Sequence, residues 1–209
     1  MQIDPTKITN FARTDAELQA FALFAVFCAG KNSDYAARCL AKLLHKCENT
    51  PFEYLRELGE IGIHNALVAS KIGQYGRLTK AVMGLMNLDL KTCSLEDLMA
   101  IHGCGPKTSR FILVHSRKDC RHGILDCHIL KFMRENGCED APQQTPTSNK
   151  QYLELEKKFL FIAERLFPCM SIADIDLILW MRYSNRLDNA PLFQILFCPQ
   201  RLQISIILV

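Results

Sequence analysis

Lys107 and Asp126 stand 19 residues apart, an amine and a carboxylate of the types that suit covalent catalysis through a Schiff base. An amine attacks an electrophilic carbon, the leaving group departs, and the Schiff base so formed opens a path to elimination. A carboxylate beside it stabilises developing positive charge and moves protons. The spacing permits the two to meet: a helix over 107–117 climbs about 15 Å, and residues 118–125 reach back over about 26 Å. Each residue also has an ordinary alternative. Lys107 can be a surface lysine touching a phosphate. Asp126 can be the N-cap of the helical run His128-Ile129-Leu130-Lys131-Phe132-Met133-Arg134, a role compatible with the catalytic one.

The element that must position Lys107 is Ile101-His102-Gly103-Cys104-Gly105-Pro106-Lys107-Thr108, which lies between two helical patterns. Two glycines followed by proline at a helix start describe a tight hairpin. Glycine admits left-handed backbone and close approach by a ligand, and the N–H groups opening the next helix form an anion site suited to a phosphate. A hairpin of this kind grips a nucleic-acid backbone without reading bases, so binding is expected to depend on salt and little on sequence. Specificity then has to come from a pocket that receives an extruded nucleotide. On this reading the Lys107 amine attacks the sugar carbon that bears a damaged base. A plain packing turn is the alternative.

The charge distribution fits such a surface better than the net charge does. The 209 residues carry a net charge of only +3. Residues 101–138 alone hold seven Lys or Arg against three Asp or Glu, leaving the rest of the chain slightly acidic. The alternative for such a cluster is a solvated face. Ten cysteines without a Cys-x-x-Cys pair or a signal peptide point to reduced thiols in an intracellular compartment, where the hairpin reading would make the protein DNA-associated. The stretch 102–138 is rich in His and Cys, as a zinc site would be, but its spacings lack the short pairs of structural zinc sites. No metal and no cofactor are expected. With 49% hydrophobic residues, the chain buries a core without needing oligomerisation, so a monomer is expected.

Hydrophobic periodicity is helical nearly throughout, which gives an all-α fold of two helical lobes. Asp15 is read as the cap of a helix over 16–29 and Ser33 as the cap of one through Cys47. Thr50-Pro51 opens a short helix to Leu58, a break falls at Gly59 and Gly62, and a longer helix covers 65–87. Ser94 with Asp97 caps a helix over 95–100. After Gly137 the low apolar content reads as an exposed connection. Helices resume over 149–167 and from Ser171 to about Asn185. One lobe is expected over about 60–137 and the second from the N-terminal and 149–189 helices, together making a domain of 1–189. Residues 190–209 form an apolar tail of unassigned role, interrupted by Pro199, Gln200, Arg201 and Gln203 too often for a membrane span.

Leu95 to Asn136 resembles the hairpin and catalytic segment of the helix-hairpin-helix DNA glycosylase superfamily. That superfamily carries Gly-x-Gly-x-Lys followed about twenty residues later by Asp-x-His, here Gly103-Cys104-Gly105-Pro106-Lys107 and Asp126-Cys127-His128. The resemblance places the hairpin at the cleft between the lobes, makes Lys107 the Schiff-base lysine and Asp126 the catalytic aspartate, and assigns DNA contacts to Gly103, Gly105, Thr108 and His128. Ile124-Leu125-Asp126-Cys127-His128-Ile129-Leu130 and Ile175-Asp176-Leu177-Ile178-Leu179-Trp180 are similar to the second family of 8-oxoguanine DNA glycosylases, in which the tryptophan helps form the base pocket. By resemblance, then, Trp180 lines the base pocket, and Lys31 and Asn32 lie where a helix end approaches DNA. The implied partner is double-stranded DNA containing a damaged base, and the implied reaction is base excision coupled to AP-lyase strand cleavage.

The sequence departs from that family by running past Asn189, where relatives finish with a lysine soon after the tryptophan helix. It departs from the endonuclease III branch in having only Cys169 and Cys198 after Cys138, too few for that branch's iron–sulfur cluster. Oxidised pyrimidines as substrate, a non-catalytic DNA-binding module and a zinc-stabilised interaction domain are the remaining alternatives.

Overall fold

The computed structural model describes residues 2–48 and 50–186, and among these residues all regular structure is helical. The nine helices are α1 (Asp15–Phe27), α2 (Ser33–Leu43), α3 (Pro51–Ser70), α4 (Tyr75–Leu85), α5 (Leu95–Ala100), α6 (Pro106–Ser116), α7 (Cys127–Glu135), α8 (Asn149–Leu166) and α9 (Ile172–Tyr183). None of the described helices is long and apolar enough to cross a membrane. The segment 190–209 lies outside the described residues.

Local chemistry explains most boundaries. Thr14, Thr50 and Ser94 each accept from the backbone N–H three residues on, while Glu17, Glu53 and Asp97 return the bond to the cap residue. Two caps differ by one residue from expectation. Thr14 caps α1 instead of Asp15, and Asn32 caps α2 instead of Ser33, because in each pair the preceding side chain is the one in extended backbone and able to reach back. The expected break at Gly59 and Gly62 is only a kink at Gly59, where φ is 64° and ψ is 175°. The true break comes at 71–74, where Lys71, Gly73 and Gln74 all have positive φ.

From Ala20 to Phe27 every residue of α1 is buried, so this helix is the axis around which α2, α3, α4 and α6 pack. Its apolar cluster runs from Ile8 to Leu113. A second cluster, from Val114 to Leu179, is built by α7, α8 and α9. The two cores therefore follow chain order, with the N-terminal helix in the first. The sequence reading had grouped it with the C-terminal helices. What joins the cores is α6, which contacts both α1 and α9. His115, near the end of α6 and fully buried, faces Thr9 at 2.9 Å through Nδ1 and Asp176 of α9 at 3.1 Å through Nε2. The 139–148 connection is also less exposed than its composition suggests, since Ala141 and Pro146 are buried.

Candidate active site

The hairpin between α5 and α6 is shaped by Gly103, whose φ of +91° is one that side-chain-bearing residues rarely adopt. Arg77 of α4 holds it from behind, donating to the Gly103 carbonyl at 2.9 Å and to the Val26 carbonyl at the end of α1 at 2.9 Å. Gly105 is the N-cap of α6 and provides no side-chain cap, and nothing lies within 4 Å of where its Cβ would be. The start of α6 is thus open to a ligand, with Pro106 in the first turn and Lys107 and Thr108 next to it.

Asp126 is the N-cap of α7, and its Oδ1 accepts from both His128 N and Ile129 N at 2.9 Å. Neither capping bond uses Oδ2. Residues 123–125 just before it are fixed by buried polar groups that the sequence did not reveal. The Tyr152 hydroxyl donates to Gly123 O at 2.9 Å and accepts from Leu125 N at 3.0 Å, Thr145 donates to Leu125 O at 2.7 Å, and Glu156 accepts from Gly123 N at 2.8 Å. Glu156 in turn takes two bonds from the buried Arg110, at 2.7 and 2.8 Å. Burial opposes its ionisation, but donors from His122, Arg110 and Gly123 outweigh that and hold its carboxyl down at about 2.

One cavity of about 540 Å³ collects most of the residues singled out from sequence. Lys107, Thr108, Asp126, His128, Lys31, Asn32 and Trp180 all line it; Gly103 and Gly105 stay outside its wall, on the hairpin. A volume in this range suits a small molecule or a single nucleotide base. Phe24 and Phe111 supply aromatic wall, and Cys28, Thr145, Asp176 and Arg186 supply further polar or polarisable groups. Of these, Asp176 falls within the tryptophan-helix motif quoted from the sequence, and Phe111 carries a positional signal, four residues after Lys107 on the same helix face. Asp176 is buried against His115, and burial raises its carboxyl. Burial also pushes the Cys28 thiol up to about 12, against the pull of the nearby Lys107 charge. His128 stacks on Tyr183 with ring centroids 6.4 Å apart, which ties α7 to α9 beside the cavity. Among the described residues no group of three or more His, Cys, Asp or Glu is placed to hold a metal ion.

No protein-family model matches the sequence, and no match was found among curated proteins. Comparison of the structure with solved ones gives a match to the crystal structure of the 8-oxoguanine DNA glycosylase of Thermotoga maritima. The TM-score is 0.61 with 21% sequence identity, and 84% of each chain is covered. The chain shares that glycosylase's fold. In this glycosylase fold α5, the hairpin and α6 form the helix-hairpin-helix unit, with Lys107 at its second helix and Asp126 at the start of the next.

Proposed function

We propose that the protein is a base-excision DNA glycosylase with AP-lyase activity, acting on an oxidised purine such as 8-oxoguanine in duplex DNA. The observation that carries this reading is that an amine at the opening of the hairpin helix and a helix-capping carboxylate line one base-sized cavity. The hairpin holds the phosphodiester backbone through α6 N–H groups, and the extruded base enters the cavity beside Trp180. The Lys107 amine forms a bond to C1′ as the bond from C1′ to the base breaks. The base leaves with the electron pair and takes up a proton. Asp126 stabilises the positive charge that develops on the sugar. Loss of the amine proton and opening of the sugar ring give the Schiff base. Removal of a C2′ proton then expels the 3′ phosphate and cleaves the strand.

Borohydride trapping on an 8-oxoguanine duplex tests the proposal. Wild type forms a covalent adduct and Lys107→Ala forms none. Absence of the wild-type adduct, or its persistence in the variant, would defeat the lyase assignment. A panel of lesions under single-turnover conditions tests the substrate: faster cleavage at oxidised pyrimidines would move the protein to that class. Equal, salt-sensitive binding of damaged and undamaged duplex without scission would make it a binding module.

A further inference from the structure

Helix α9 ends in a way that returns the chain over its own tryptophan. Asn185 is left-handed with φ 57°, its N–H donates to Arg182 O at 3.3 Å, and Arg186 N donates to Met181 O at 2.9 Å. The turn carries the Arg186 guanidinium over the Trp180 ring, 4.8 Å from its centroid. Both Arg186 Nη atoms also donate to the Asp34 carboxylate, Nη1 to Oδ1 at 3.2 Å and Nη2 to Oδ2. Asp34 belongs to the first turn of α2, next to Lys31, Asn32 and Ser33 on the cavity wall, and Arg186 lines the same cavity. The pair joins residues 152 apart in sequence, linking the first turn of α2 to the turn after α9 beside the cavity. The arginine side chain is 25% exposed and the aspartate 41%, so the pair is half-buried on its arginine side.

We infer that Arg186, anchored by Asp34, is a positioning residue for the lesion base: it covers one face of the Trp180 indole, fixes the ring's orientation, and leaves the other face as the stacking surface. A planar guanidinium does both jobs at once, stacking on the ring while its edge forks onto the carboxylate. A lysine ammonium can meet the ring or the carboxylate but lacks the planar fork that engages both at once. The base-stacking half of the inference rests on the glycosylase reading, whereas the fixing of the indole does not.

Trp180 is the only tryptophan of the chain, so intrinsic fluorescence reports on it alone. Arg186→Gln and Asp34→Asn are each expected to shift its emission and raise acrylamide quenching about two-fold, with circular dichroism and melting confirming that the variants fold. The same variants lose about ten-fold in affinity for an 8-oxoguanine duplex over undamaged duplex, a loss that falls on Kd more than on the single-turnover rate at saturation. Arg186→Lys recovers only part of both. A charge-reversed pair, Asp34→Arg with Arg186→Asp, keeps the α2–α9 link but removes the cation from the ring, and it recovers neither. Unchanged Trp180 emission and quenching in Arg186→Gln overturns the inference. So does altered fluorescence with undiminished lesion preference. If wild type shows no lesion preference at all, the glycosylase reading fails while the fluorescence arm still decides whether the clasp fixes the indole.

Discussion

Asp126 caps α7, and under the proposed mechanism the same carboxylate stabilises charge on the sugar; the two roles can be separated. Asparagine caps helices nearly as well as aspartate but carries no charge. Asp126→Asn is therefore expected to melt within about 1 kcal/mol of wild type while its single-turnover rate falls by roughly 10²-fold or more. Asp126→Ala loses the cap as well and costs about 1 kcal/mol further. Equal rates for wild type and Asp126→Asn would remove the carboxylate from the chemistry. The two hairpin glycines make a second separable pair. Gly103→Ala puts a methyl group at a left-handed φ and 3.0 Å from Arg77 Cγ, so it destabilises the fold by at least about 1 kcal/mol. Gly105→Ala meets nothing within 4 Å and sits at φ −77°, so it folds normally. Its expected defect is weaker duplex binding, measured by titration, because the methyl group stands where the proposed function brings a phosphate.

Between helices, the arrangement that aims Asp126 is the buried set on α6 and α8. Glu156→Gln leaves the Arg110 guanidinium without its counter-charge in a site where it is 1% exposed, and a loss of about 3–5 kcal/mol is expected in denaturant melts. The same carboxylate gives acid sensitivity. Its carboxyl is lowered from 4.5 to about 2 in the folded protein, so its stabilisation is complete above about 4.5 and disappears as pH falls toward about 2. On the order of 3 kcal/mol is lost across that window, and a flat melting profile between those pH values would contradict it. This set also marks what sequence could and could not show. Ser94, Thr50 and Asp126 announce helix starts because capping is local, and Lys107 and Asp126 are legible because their spacing is. Tyr152, Glu156 and Thr145 are not, since their partners lie 20 to 46 residues away and only packing brings them together. The break at Lys71 and Gln74 was missed for a related reason: left-handed backbone in lysine and glutamine has no compositional mark, while Gly59, which has one, turned out to be a kink.

At the scale of the whole molecule, α6 is the hinge-pin between the two cores, and His115 is where it is bolted. The ring accepts or donates to Thr9 on one side and Asp176 on the other with no solvent contact. His115→Ala opens a void and strands the Asp176 carboxyl, for an expected cost of about 3 kcal/mol or a fall of roughly 6–12 °C in Tm. Because the ring lies between the cores, calorimetry is expected to show both failing in one transition; two separated transitions in wild type would show that the cores fold independently. Which helices share a core is hard to read from sequence, because periodicity shows which face of a helix is buried and not which neighbour buries it.

Cys28 lines the cavity, and burial pushes its thiol up to about 12, so the protonated form dominates at neutral pH. Peroxide and alkylating agents react with the sulfur anion and hardly with the protonated form. The Cys28 stretch of the cavity wall is thereby slow to oxidise and keeps its shape where peroxide is present, whereas the exposed Cys127 on the same wall has no such cover.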